Sequence, residues 1–159
     1  MGTTVGTTTG TDVPVDQRLC LALYQASHAM DATYRVLLEG YGLTYPQYTV
    51  LSVLRQDGPS PVTGVARRLG LSSNTVSPLL KRLEAQGLLT RRRSVGDERT
   101  VLVELTDAGR RLGAEVDDVP AQITAASGLD EGQQAELVGT LHRLSATLRE
   151  GVERTAPEG

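Results

Sequence analysis

The chain has no phenylalanine, no tryptophan and a single cysteine in 159 residues. One thiol excludes an intramolecular disulfide, so any cross-link has to reach another molecule. The two histidines, His28 and His142, are far apart in sequence and have no cysteine or carboxylate at metal-ligand spacing, which argues against a zinc site. There is no glycine-rich phosphate loop and no arguable Ser-His-Asp set. The sequence therefore gives no catalytic residues, no metal and no cofactor, and an enzyme is not expected. No apolar run approaches a membrane span, and the start lacks the basic residues and hydrophobic stretch of a secretory signal. A soluble, cytoplasmic protein is the expectation. Positive charge is also lacking overall: a net −3 gives no hint of nucleic acid.

The distribution of that charge does. Between residues 63 and 100 stand eight cations (Arg67, Arg68, Lys81, Arg82, Arg91, Arg92, Arg93, Arg99) against three acids (Glu84, Asp97, Glu98). That stretch is +5 and the remainder −8. A basic patch on an acidic body attracts phosphates locally while limiting nonspecific adhesion. A solvated, charge-rich surface is the plainer alternative.

The pattern around the cations favours DNA. Val62, Val65, Ala66 and Leu69 recur at i, i+3, i+4 and i+7, on one face of a short helix. Gly70 can adopt the positive φ that follows a helix end. Ser72 or Ser73 can cap a second helix whose apolar positions are Val76, Leu79, Leu80 and Leu83. Its other face carries Ser73, Asn74, Thr75, Ser77, Lys81 and Arg82, residue types that reach base edges and phosphates in a major groove. Arg91, Arg92 and Arg93 follow, with a turn at Val95-Gly96-Asp97-Glu98 and a β-rich return from Arg99 to Leu105. Residues 61–106 thus read as helix, turn, helix and arginine-studded hairpin, a winged helix-turn-helix.

The rest reads as mostly helical. A disordered arm is expected over 1–13, rich in Thr and Gly. A long helix is predicted from about Asp16 to Glu39, ended by Gly40 and Gly42. Thr44 caps a helix with Pro46 in its first turn, running towards Arg55. Pro59 and Pro61 break the chain, Thr106-Asp107 opens another helix that Pro120 kinks, and a last helix starts near Asp130. The resulting division is 14–45 as an N-terminal dimerisation segment, 46–106 as the DNA-binding domain, 107–151 as C-terminal dimerisation helices and 152–159 as a disordered tail. The outer helices, the last with Leu137, Leu141, Leu144 and Leu148 in one stripe, are too apolar along one face to stand alone. A twofold dimer would bury them and would set two recognition helices roughly 34–36 Å apart. Packing within one monomer is the alternative.

All five tyrosines, Tyr24, Tyr34, Tyr41, Tyr45 and Tyr48, lie within 25 residues, near Cys20. Simple core packing explains this cluster most cheaply. Helix geometry offers another reading. Cys20 and Tyr24 are i and i+4, hence neighbours. Tyr34 returns to nearly the same face but about 21 Å further along, at roughly 1.5 Å per residue. It could meet a partner's cysteine if two such helices ran antiparallel. Phenol hydroxyls and a helix N-terminus would both favour a thiolate.

These residues carry a resemblance. Leu19-Cys20-Leu21-Ala22-Leu23-Tyr24, Leu43-Thr44-Tyr45-Pro46-Gln47-Tyr48 and the run from Thr75 to Glu84 with Gln86-Gly87-Leu88 resemble the organic hydroperoxide resistance regulators of the MarR family. Asp97-Glu98-Arg99 followed by Leu105-Thr106 is similar to the wider MarR pattern, and the resemblance spans about residues 16–148. It implies a mainly α winged helix-turn-helix dimer that binds double-stranded operator DNA as a repressor. It also implies that Cys20 meets Tyr34 and Tyr45 of the other subunit, with Tyr24 nearby, and that organic hydroperoxides oxidise it to release the operator. Members with a second cysteine form an intersubunit disulfide. This chain resembles the one-cysteine type, whose sulfenic acid reacts with a low-molecular-weight thiol or oxidises further. Pro78 falls within the recognition helix, where propensity opposes it but the family pattern carries the same proline. Asp97 and Arg99 read either as an exposed ion pair of little worth or, as the resemblance implies, as a minor-groove arginine held by its aspartate. Two rivals stay open: a MarR-type repressor released by a small aromatic ligand with Cys20 passive, and a thiol peroxidase.

Overall fold

A computed structural model describes residues 13–97 and 99–155. The arm expected at 1–13 lies outside it except for Val13, as do Glu98 of the hairpin turn and residues 156–159 of the expected tail. The chain divides into two compact units, Met1–Val116 and Asp117–Gly159.

The first unit opens with a single 3-10 turn, Val15–Gln17, and then α1, Leu19–Leu38. The helix predicted from Asp16 therefore starts three residues later, because Arg18 is extended. A second 3-10 turn, Glu39–Tyr41, closes on Gly42 at φ 65°, a value suited to glycine. Thr44 starts α2, Tyr45–Asp57, through a capping box. The Gln47 backbone N–H donates to Thr44 Oγ1 (3.4 Å), and the Thr44 N–H donates to Gln47 Oε1 (2.9 Å).

Ser60–Pro61 forms a short strand, β1, where sequence reading saw only a break. A proline is tolerated there because the strand lies at a sheet edge. Then come α3, Val62–Leu69, and α4, Ser73–Ala85, separated by Gly70 at φ 65°. Strands β2, Leu89–Arg93, and β3, Val101–Leu105, pair antiparallel with Arg91 opposite Val103, and the sheet order is β1-β3-β2. The core gathers Leu51, Val65, Val76, Leu80, Leu83, Leu89 and Val103, all essentially inaccessible. Fully burying each such side chain is worth roughly 1.5–3 kcal/mol.

Helix α5, Asp107–Glu115, also belongs to the first unit, although sequence reading grouped it with the C-terminal helices. Two glycines explain the close packing. A Cβ at Gly109 would overlap the Leu88 carbonyl oxygen, and one at Gly113 would overlap the Arg55 side chain, whose guanidinium donates to the Gly113 carbonyl.

The second unit contains α6, Val119–Ser127, and α7, Glu131–Thr155. Pro120 does not kink a continuing helix, as expected from sequence, but sits in the first turn of α6. Its missing N–H has no intrahelical partner at that position, so it starts a helix without cost. Asp130 and Gln133 cap α7 reciprocally, at 2.8 and 3.1 Å. The tail assigned to 152–159 begins inside this helix, which continues to Thr155.

Candidate nucleic-acid interface and cysteine region

The helix expected to enter a groove is α4. Between the two serines left open by sequence, Ser72 is the cap: its Oγ accepts from the Thr75 backbone N–H at 3.2 Å. Asn74, Thr75, Lys81 and Arg82 are exposed, with Ser73 and Ser77 half-buried, while Val76, Leu80 and Leu83 face the core. The polar face predicted for a groove is thus presented together, on one side of one helix. Pro78 lies inside α4 without ending it. The turn before it is reinforced by Ser77 Oγ, which donates to the Ser73 carbonyl at 2.8 Å.

The wing arginines divide into different environments. Arg93 and Arg99 are exposed. Arg92 reaches Glu104 across the hairpin at 3.2 Å, an exposed pair worth little. Arg91 is engaged instead by α4: its Nη2 lies 2.6 Å from Glu84 Oε2. The hydrogen bond and charge of Arg91 hold the Glu84 carboxyl below its usual range. Sequence reading grouped the three arginines and gave Glu84 no role. Their alternation along β2 was the available clue, since it sends Arg91 to the side opposite Arg92.

Asp97 organises the turn through the backbone. Its Oδ1 accepts from the Arg99 N–H at 3.0 Å and its Oδ2 from the Thr100 hydroxyl at 2.9 Å. The guanidinium of Arg99 is not the group that Asp97 holds in these bonds. At the other end of the hairpin, Thr106 Oγ1 donates to the Gly87 carbonyl and accepts from the Gly109 N–H, joining the turn after α4 to α5.

The tyrosines sort by helix. Tyr34 and Tyr45 lie in tilted contact at 4.2 Å between ring centroids, and Tyr48 joins them at 5.6 and 6.5 Å. Tyr48 was absent from the pocket read from sequence, although its i, i+3 spacing from Tyr45 put the two on one face of α2. Burial first, then the neighbouring Tyr45 and Tyr48, pushes the Tyr34 phenol up to about 12. Tyr45 is raised as well, by burial, then Asp31 and Tyr48. Both are therefore protonated donors at neutral pH. Tyr24 lies apart from this group within the chain, in tilted contact with His28 at 4.1 Å.

Cys20 is exposed in the first turn of α1. The helix is unbroken through Tyr34, so the separation of about 21 Å along its axis holds. A hollow of about 280 Å³ opens beside the tyrosines, lined by Asp31, Arg35, Leu43, Thr44, Tyr45 and Pro46. Among the described residues no group of three or more His, Cys, Asp or Glu could hold a metal ion, and no helix is long and apolar enough to cross a membrane.

Known proteins are similar to this chain in sequence and fold. The family model for the transcriptional regulators SarA/Rot matches residues 32–116, more than half the chain. The organic hydroperoxide resistance transcriptional regulator of Bacillus subtilis is 38% identical over 136 residues, covering 86% of this chain and 92% of that one. The chain belongs to the MarR-type winged-helix transcriptional regulators. The HTH-type transcriptional regulator TtmR of Methylorubrum extorquens is 43% identical, over 84% of this chain and 69% of its own. Among solved structures, reduced AbfR bound to DNA, a protein of Staphylococcus epidermidis, aligns with a TM-score of 0.69 at 32% identity, over 82% of this chain and 91% of the other. Like its family, this MarR-type protein is a DNA-binding transcriptional regulator.

Proposed function

We propose that this regulator is a repressor that senses organic hydroperoxides through Cys20. The observation that carries the reading is the division of α1. An exposed thiol stands at one end, and near the other Tyr34 packs in tilted contact on Tyr45 of α2, a pair of protonated phenols too distant to serve their own chain's cysteine. Two copies of α1 running antiparallel across a twofold axis would bring each thiol to the partner's phenols, with Tyr24 one turn from the sulfur. The name of the Bacillus relative supports the same chemistry.

The reduced dimer lays Ser73, Asn74, Thr75, Ser77, Lys81 and Arg82 into successive major grooves, and Arg92, Arg93 and Arg99, the last on the turn shaped by Asp97, reach the flanking minor groove. The Cys20 thiolate attacks one oxygen of the hydroperoxide. The O–O bond breaks, the other oxygen takes a proton and leaves as the alcohol, and the sulfur becomes a sulfenic acid. A low-molecular-weight thiol then forms a mixed disulfide and expels water. The enlarged sulfur no longer fits among the phenols, α1 shifts, and the two recognition helices lose their spacing. A hundredfold loss of affinity requires about 2.7 kcal/mol of coupling, within the usual allosteric range.

A gel shift on the gene's own promoter region, before and after cumene hydroperoxide and again after reductant, tests this. The wild type should release DNA and recover, and Cys20→Ser should stay bound throughout. Release of Cys20→Ser by peroxide would remove the mechanism. The hollow beside Tyr45, with Arg35 on its rim, favours a second reading in which a small aromatic acid releases the operator. Cys20→Ser would then respond to that ligand as the wild type does.

A further inference from the structure

Glu84 stands in the last turn of α4, and its two ends do different things. Its backbone carbonyl accepts from the Gly87 N–H at 2.9 Å, closing the helix on a glycine at φ 72°. Its carboxylate crosses to β2 and engages Arg91 twice over. The Arg91 backbone N–H donates to Oε1 at 3.1 Å, and Nε donates to Oε2 at 2.8 Å, with Nη2 also close to that oxygen. Both side chains are about one-third exposed. The Arg92–Glu104 pair on the same hairpin has one contact and a more exposed arginine, and it links the two wing strands to each other.

We propose that Glu84 and Arg91 form a clamp that fixes the angle of the wing to the recognition helix, which makes Arg91 a positioning residue and not a phosphate contact. The inference rests on the reading that α4 and the wing face DNA. It follows from what breaking the pair would entail. A phosphate that captured Arg91 would strand an ionised carboxylate among phosphates, losing charge-assisted bonds and adding repulsion. A bond to the strand's backbone cannot turn towards DNA at all. The helix and the wing read different grooves, so an error in their relative angle weakens both sets of contacts together.

The test is fluorescence anisotropy of the full-length protein on promoter DNA across a salt series, with Glu84→Gln, Arg91→Lys, Arg91→Ala and the double variant Glu84→Gln/Arg91→Ala. The clamp predicts that Glu84→Gln binds about tenfold more weakly, although it removes a negative charge near DNA. Arg91→Lys should fall as far as Arg91→Ala, since it keeps the charge but not the two-pronged bond. Salt slopes should match the wild type, and the double variant should be no weaker than either single one. Amide hydrogen exchange over residues 89–93 should quicken in Glu84→Gln while that of 76–83 holds. Tighter binding by Glu84→Gln overturns the clamp. So does near-wild-type Arg91→Lys beside an Arg91→Ala slope reduced by roughly 0.9 per lost phosphate contact, and so does unchanged affinity in every variant. A flat wild-type salt plot would remove the DNA-facing reading, and the clamp with it.

Discussion

From Leu43 to Leu105 the chain buries most of its large apolar residues within itself, Leu71 and Val95 excepted, whereas α1 and α7 leave most of theirs open. Leu38 alone is buried among the 20 residues of α1, and none is buried among the 25 of α7. Leu19, Val36, Leu148 and Val152 stand 59–73% exposed. The winged region, by contrast, encloses ten or more aliphatic side chains with helices of eight to thirteen residues and strands of two to five. Short amphipathic helices fold because a neighbouring element of the same chain covers them. Long ones with an open stripe of this size need a second surface, and a second copy supplies it with the least new sequence. The winged region closes its core within the chain, whereas α1 and α7 keep apolar residues open.

That contrast can be broken experimentally. The largest effect should come from Leu137→Asp with Leu148→Asp, which places carboxylates on the open stripe of α7. Sedimentation should show association weakened more than a hundredfold, equivalent to about 2.7 kcal/mol, while the melting of the winged region is kept. Next, Leu80→Ala empties a fully buried site in the head. Its cost should be about 3 kcal/mol, read by urea unfolding, with no change in the subunit affinity of protein that remains folded. Thr44→Ala removes the side-chain half of the capping box at the junction of the two regions and should cost about 1 kcal/mol in the same assay.

The last effect concerns Tyr34 and is confined to alkaline pH. Its folded-state value is raised to about 12 against an ordinary 10.0, so the unfolded chain loses the phenol proton first. The stabilisation is therefore complete below pH 10.0 and is lost as pH climbs towards 12. Tyr34→Phe should flatten that alkaline limb in chemical-denaturation curves. An unchanged limb would mean that the stacked tyrosines are more open to water than their packing indicates.

Much of this was legible in the residues. The periodicities of α3 and α4, the hairpin around Val95-Gly96-Asp97 and the Thr44 cap are local patterns, and local propensity forms them without distant partners. Three features were not legible. Pro120 carries the same restricted φ whether it kinks a helix or starts one, and only the chain before it decides. Helix α5 joined the first unit because Gly109 and Gly113 allow close approach to Leu88 and Arg55, contacts across 21 and 58 residues of sequence. Among three consecutive arginines, strand alternation separates Arg91 from Arg92, but it does not name Glu84 on α4 as the partner.

The sequence by itself determined helices α1 to α4, the wing hairpin, the polar face of α4 and the position of the thiol in the first turn of its helix, since each follows from near neighbours along the chain. Tertiary packing alone decided that Arg91 belongs to Glu84, that Tyr48 joins Tyr34 and Tyr45, and that the two outer helices remain uncovered. Those outcomes depend on how separate elements pack against one another, which spacing within a single element does not encode.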